Sequence, residues 1–390
     1  MRIAVISRIA VVGFFGCPLC SSQISTQRQT LPGPPQTTQT ERNVSASSDS
    51  DTMQAQAEFQ RGTALTRQGK FREAIPHLLA ARENVGNEYA LEFNLSLSYV
   101  GVGEYKKAIQ ILDRLRGEGR DNADVENLLA QAYLGDGNRK EALVTVERAA
   151  AIAPQNEKLY IFVADACTDH QDFELGLKVV EIGLRGLPLS ARLHYERAMF
   201  LTQLDQFDHA KEDFELAGKL GQSSEIGYLA AAQQNLLSGN IPEAVRISRE
   251  GIRQDMRNPA LLVILGKALL RSGIAPGQPE FGEAQDALER AVAQHPNDAG
   301  SQIALGQIYL AVGRLDDAIA HLQIALRMQP NQPSIYASLG KAYQRKGDTL
   351  RAQESFAQLE RLNQAQAEQI RSAPGERKMS YGGNSSPQPQ

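Results

Sequence analysis

Cys17 and Cys20 are the first residues in this chain whose spacing could do chemistry, since C-x-x-C suits a dithiol redox pair or half of a metal site. They close an apolar N-terminal stretch, where removal or modification during export explains them better. Cys167 then stands alone, so no disulfide framework is expected. The six histidines, at 77, 170, 194, 209, 295 and 321, form neither H-E-x-x-H nor a Cys/His metal spacing. Gly101-Val102-Gly103 lacks the strand and nucleotide-binding context of a phosphate loop. His194 with Glu196 or Asp205 has no nucleophile in the pattern. Asp165 and Asp169 are one helical turn apart and could hold a cation, but a solvated helix face is the expected reading. No catalytic residue, cofactor or metal is expected, and the chain is read as something other than an enzyme.

Bulk composition narrows the partners. Lys and Arg number 41 against 45 Asp and Glu, which lacks the basic excess that phosphate contacts need, so nucleic acid is not an expected partner. Apolar residues make up 42% of the chain with no Trp, and many are Ala and Leu, the composition of packed helices. Arg2 and Arg8 precede an apolar run from Ile9 to Phe15, the layout of an export signal over 1–22. Two versions stay open. Cleavage near Ser21 or Ser22 would release a soluble periplasmic or secreted protein. Alternatively Phe14-Phe15-Gly16-Cys17 resembles the cleavage box of bacterial lipoproteins, with Phe14 where an aliphatic residue is usual. The signal would then end at 16, and lipidation of Cys17 would be the chain's one membrane anchor. The Ser/Thr/Gln/Pro-rich stretch 23–54 reads as a disordered tether.

The elements that must position any site are set by self-similarity. Ala74, Ala108, Ala142, Gly176, Ala210 and Ala244 recur every 34 residues; Ala284 follows after 40, then Ala318 and Ala352 after 34 each. Gly69, Gly103, Gly137, Gly239, Gly273, Gly313 and Gly347 keep the same phase, and Pro154, Pro188, Pro296 and Pro330 close units. Within one unit, Leu128, Leu129, Ala132 and Tyr133 share a helix face. Gly135-Asp136-Gly137-Asn138 then breaks the helix, and Ala142, Leu143, Val146, Ala149 and Ala150 face inward on a second. The periodicity predicts nine helix-turn-helix units at 55–88, 89–122, 123–156, 157–190, 191–224, 225–258, 259–298, 299–332 and 333–366. The seventh has a loop insertion within Ile274 to Glu280. A helical extension and a disordered tail over 367–390 follow.

Leu305-Gly306, Tyr309, Gly313, Ala318, Leu322, Ala325 and Pro330 carry a resemblance to the tetratricopeptide repeat family, as do Tyr336, Leu339-Gly340, Tyr343, Gly347, Ala352 and Phe356. The resemblance implies an all-α, right-handed superhelical solenoid whose concave groove binds peptides or helices of other proteins. Trp, favoured by the family at the fourth position of a unit, is absent throughout. Cys167, Gly176, Asn235 and Ser248 also depart from the pattern, which predicts a softer stretch over units four to six.

In the family, positions 2, 5, 9, 12 and 13 of a unit face the groove. Position 5 includes Phe59, Phe93 and Tyr195, an apolar row that either anchors a ligand or packs adjacent helices; packing is the favoured reading. Position 9 includes Gln131, Asp165, Gln233, Lys267, Gln307 and Lys341. Lys267 with Arg271, and Lys341 with Arg345, are spaced i, i+4 and form a candidate basic patch for carboxylates. The bland alternative is that these cations offset a helix dipole and are solvated. No unit has the Lys-then-Asn pair of chaperone-docking members. The expected function is a scaffold or adaptor for partner proteins, in the cell envelope or secreted; the alternative is an accessory subunit presenting substrates to a separate enzyme. Self-association is allowed because the last hairpin lacks a clear polar cap.

Overall fold

A computed structural model describes residues 39–82, 85–254 and 258–372, and among them there are eighteen helices and no strand. Two bodies divide the chain, one ending at Leu220 and the other starting at Gly221. The N-terminal body holds five helix pairs: α1 (Gln39–Arg67) with α2 (Phe71–Ala81), α3 (Glu88–Gly101) with α4 (Tyr105–Gly117), α5 (Ala123–Gly135) with α6 (Arg139–Ile152), α7 (Glu157–Asp169) with α8 (Phe173–Gly186), and α9 (Ala191–Gln203) with α10 (Phe207–Leu220). The C-terminal body holds four: α11 (Glu225–Leu237) with α12 (Ile241–Arg253), α13 (Pro259–Arg271) with α14 (Pro279–Gln294), α15 (Ala299–Ala311) with α16 (Leu315–Met328), and α17 (Pro333–Lys346) with α18 (Thr349–Ser372). Within each body every pair packs on the next, and consecutive first helices touch. The result is an all-α solenoid architecture. No helix among the described residues is long and apolar enough to cross a membrane.

The turn inside each pair is set by position 15, counting from the start of each repeat. Seven of the nine positions are Gly with φ between 72° and 84°, the left-handed region that costs Gly nothing. The other two are Gln171 (φ 56°) and Asp205 (φ 58°), forced into the same conformation by their flanks. In eight of the nine repeats, all but the seventh, the amide after position 15 reaches back to position 11, as in Asp172 N to Cys167 O at 2.8 Å and Asn138 N to Tyr133 O at 2.8 Å, so helix-end carbonyls are satisfied alike with or without Gly. Starts are capped too: Asn122, Ser190 and Asp298 each accept a backbone N–H of the following turn.

Small residues let the two helices of a pair approach. The alanines at position 20 are 0 to 5% exposed. At position 8, a Cβ added to Gly62, Gly266, Gly306 or Gly340 would stand 2.5 to 2.7 Å from the Leu or Phe at position 24 (Leu78, Leu288, Leu322 and Phe356). Where position 8 is Ala130 or Ala164, position 24 shrinks to Val146 or Val180, conserving volume as close packing demands.

The expected soft stretch is repaired by its neighbours. Gly176 replaces Ala because Phe200 of the next repeat fills the space, with ring carbon Cζ 2.4 Å from where a Cβ would lie. Cys167 is fully buried in the same core as Tyr160, Val180 and Phe200, and burial drives its thiol pKa upward. Ser248 remains a real departure, since its buried hydroxyl has no hydrogen-bond partner among the described residues.

Two boundaries differ from the sequence reading. The tether of 23–54 is helical from Gln39, because α1 meets no Pro or Gly before Gly62 and can propagate outward from its packed half. The seventh-repeat insertion is part loop, part helix: Pro279 and Glu280 open α14, Pro being well suited to a first turn. The helical extension expected after the last repeat is the continuation of α18 to Ser372, and Phe356 on that helix is 37% exposed. The signal over 1–22, Cys17, residues 23–38 and the tail after 372 lie outside the described residues.

Relief of the non-glycine turn predicts that Gln171→Gly raises thermal stability, by about 0.5–1 kcal/mol net of the added chain entropy. Unchanged or lower stability in a melting experiment contradicts this reading of the turn. Gly176→Ala alone is expected to cost about 1–3 kcal/mol. In urea titrations Gly176→Ala/Phe200→Ala should be less destabilised than the two single variants summed; strict additivity contradicts the coupling.

Candidate functional site

Position 5 is spent on packing. Phe59 and Phe93 are half-buried against the core of the first three repeats, and Phe93 stacks on Tyr89 with ring centroids 6.2 Å apart. Tyr195 is buried edge-on to Phe214 at 5.6 Å. Asn127 donates to Leu159 O (2.6 Å) in the next repeat and accepts from Gln131 Nε2 (2.8 Å), so Gln131 is engaged inside the chain as well. Asp165 lies near the Arg192 guanidinium, which pairs with Glu196 at 2.7 Å.

The basic patch of the C-terminal body is half what its sequence suggested. Arg271 Nη1 donates to Leu236 O at 2.7 Å, and Arg345 donates to Leu310 O. Each arginine at position 13 therefore clips the last-turn carbonyl at position 12 of the preceding first helix. That satisfies an orphan acceptor and places a cation at the negative end of that helix. Two lysines remain. Lys341 is exposed, and no hydrogen bond or ion pair engages it among the described residues. Lys267 is half-buried, and burial holds its ammonium below the ordinary lysine range while the Asp298 carboxylate offsets part of that. Gln233 and Gln307 are half-buried on the flanking first helices and make no hydrogen bond among the described residues. Position 9 of α11, α13, α15 and α17 thus carries a row of donors that the chain leaves idle.

The sequence reading missed what replaces Trp at position 4. Tyr160, His194, Gln302 and Tyr336 each donate to the Pro carbonyl six residues upstream (Pro154, Pro188, Pro296 and Pro330) at 2.7 to 3.0 Å. Three of the nine repeats also join position 4 to position 23: Glu58 with His77, His194 with Asp213, and Gln302 with His321. In repeats two and three position 4 is a buried acid. Glu92 is held by Arg114 and Arg82, and Glu126 takes a bidentate pair from Arg116 at 2.6 and 2.7 Å. A recurrent polar pair 19 residues apart was the available clue. His194 therefore serves packing, bonded to neither Glu196 nor Asp205. Gly103 lies in a turn, and Gly101 leaves room for the Phe71 ring.

Comparison with known proteins matches these repeats directly. Family profiles described as TPR repeat cover residues 306–347, and profiles described as tetratricopeptide repeat cover 65–132, 191–220 and 333–366. The chain belongs to the tetratricopeptide repeat family. This repeat protein is similar to mouse tetratricopeptide repeat protein 16, at 25% identity over 45% of this chain and 25% of the relative. It is also similar to the Arabidopsis thaliana chloroplastic tetratricopeptide repeat domain-containing protein PYG7, at 26% identity over 37% and 46%. The tetratricopeptide repeat match thus spans a quarter to just under half of those relatives' lengths. A solved tetratricopeptide repeat protein from Parabacteroides merdae shares 21% identity, covering 66% of this chain and 99% of that one, with a TM-score of 0.47.

The buried position-4 acids of this tetratricopeptide repeat protein give a pH test. Burial raises the Glu126 pKa and Arg116 pulls it back down, leaving it above the ordinary carboxylate range. The native state therefore binds that proton more tightly than the unfolded chain, and stability falls as pH rises through the window above the usual carboxylate pKa. Arg116→Met should cost about 3–5 kcal/mol at pH 7, where Glu126 is left charged and alone. The cost relative to the parent should shrink as pH falls and Glu126 takes up its proton. A penalty that is flat or growing toward low pH in denaturant titrations contradicts the assignment.

Proposed function

We propose that this chain is a non-catalytic scaffold that binds segments of partner proteins along the face formed by its first helices. The observation that carries the reading is the position-9 row in the C-terminal body. Many polar groups elsewhere on the first helices are consumed by neighbours: Gln131 by Asn127, and four of the position-4 side chains by proline carbonyls. Gln233, Lys267, Gln307 and Lys341 make no such bonds among the described residues, although the first three are half-buried. Donors that the chain itself leaves unengaged are available to acceptors supplied by a partner. Flanking Leu229, Val263 and Ile303 add apolar surface to the same helices.

The proposal extends to location. Arg2, Arg8 and the apolar run to Phe15 support export, with the mature chain periplasmic or secreted and Cys17 a site for a lipid anchor.

Affinity capture from the native source, with the mature N-terminus sequenced, tests both parts. Gln233→Arg/Gln307→Arg should abolish recovery of the captured proteins. Arg246→Ala/Arg290→Ala, which alters the second-helix side, should leave recovery intact. Equal recovery by both variants contradicts the first-helix reading, and a mature protein that retains Met1 contradicts export.

A further inference from the structure

The seventh repeat leaves a space that the other repeats fill. Its position 4 is Leu262, the one aliphatic residue at that position, and its position 23 is Ala287, the one alanine. Such a combination can form no polar pair of the kind that joins Glu58 to His77 or His194 to Asp213. Between α12 and α14 there is accordingly a cavity of about 520 Å³, with Leu262 and Ala287 in its wall beside Val245, Ile252 and Leu265. Its size suits a small molecule, and its apolar wall offers burial to a hydrocarbon chain.

The remaining wall is cationic. Arg246, Arg249, Arg253 and Arg290 line the cavity against two acids, Glu283 and Asp286. Arg249 and Glu283 satisfy each other in a bidentate pair from α12 to α14, at 2.6 and 2.8 Å. The other three arginines take partners on their own helices: Arg246 with Glu243, Arg253 with Glu250, and Arg290 with Asp286 at 3.3 Å. Their side chains are more than half exposed, so each of these pairs is worth about 0–1 kcal/mol and gives way readily to a better placed anion. Arg290 has a counterpart that shows what such an anion is. It stands at position 26, where Arg114 of the second repeat holds the buried position-4 carboxylate of Glu92. The seventh repeat keeps the arginine and lacks the carboxylate.

We infer that the cavity between α12 and α14 binds a small amphiphilic carboxylate, with its hydrocarbon against Leu262 and Ala287 and its charged group on Arg290. The site lies on the second-helix side, so it is separate from the first-helix face assigned to partner proteins and does not rest on that reading.

Isothermal titration calorimetry of the full chain with octanoate, octanol and octyltrimethylammonium tests this. Octanoate should bind one to one with a Kd at or below about 1 mM, and the neutral and cationic analogues at least about tenfold more weakly. Leu262→Tyr restores the residue that Tyr160, Tyr228 and Tyr336 place at position 4, and it should abolish octanoate binding without lowering Tm. Arg290→Gln should bring octanoate down to the level of octanol, a loss of discrimination that a merely structural arginine would not give. The inference is overturned by the absence of saturable octanoate binding, by octanol binding as tightly, or by either variant binding octanoate within twofold of the parent. Where Leu262→Tyr also lowers Tm, the Arg290→Gln result alone decides.

Discussion

Everything in this chain depends on one constraint: two helices can bury their facing apolar stripes only if their backbones come close, and side-chain volume at the contact sets how close. Alanine at position 20 and glycine at position 8 create that approach, and Leu or Phe at position 24 fills the groove that glycine opens. A leucine buried here contributes about 2–3 kcal/mol, and its loss would cost more because a packed interior relaxes only partly. One hairpin has too little interior to keep that gain against chain entropy. Stacking on the next hairpin supplies the rest, which is why the pattern must recur.

Recurrence also explains how the chain tolerates departures. Contacts are made only between neighbours, so a misfit in one repeat can be corrected by the adjacent one without disturbing the remainder. Gly176 and Phe200 form such a pair across a repeat boundary. Position 4 is a broader instance. In place of one large indole, seven of the nine repeats use tyrosine, histidine, glutamine or glutamate, each anchored by a hydrogen bond or ion pair that an indole would not need, while Tyr228 and Leu262 fill the position in the other two. Those polar substitutes fix the register between the end of one repeat and the start of the next. They also consume side chains that would otherwise suggest chemistry, His194 above all.

The fold was legible because its determinants are residue types that few other positions tolerate. Seven glycines at positive φ and nine small residues at position 20 are visible as spacing alone. Gln171 and Asp205 show the limit, since nothing in either residue announces a left-handed turn and only the phase of the repeat demands one. The site was less legible. Spacing of i, i+4 put Lys267 and Arg271 on one face, but whether a carbonyl of the preceding helix lies within reach of the guanidinium depends on how repeats stack. The same holds for Phe59 and Phe93, whose aromatic character fits a ligand anchor and an inter-helix contact equally well. Around α18 no Pro or Gly stands between Gly347 and Pro374, so the helical extension expected there is the same helix continued.

In the proposed scaffold, second helices serve as support while first helices present the surface that engages a partner. Amide hydrogen exchange on the full chain, with and without a bound partner protein, tests it directly because protection is read helix by helix. Added protection should alternate along the C-terminal body, present in α11, α13, α15 and α17 and absent from α12, α14 and α16. Protection confined to the second helices, or to α18 alone, would contradict it.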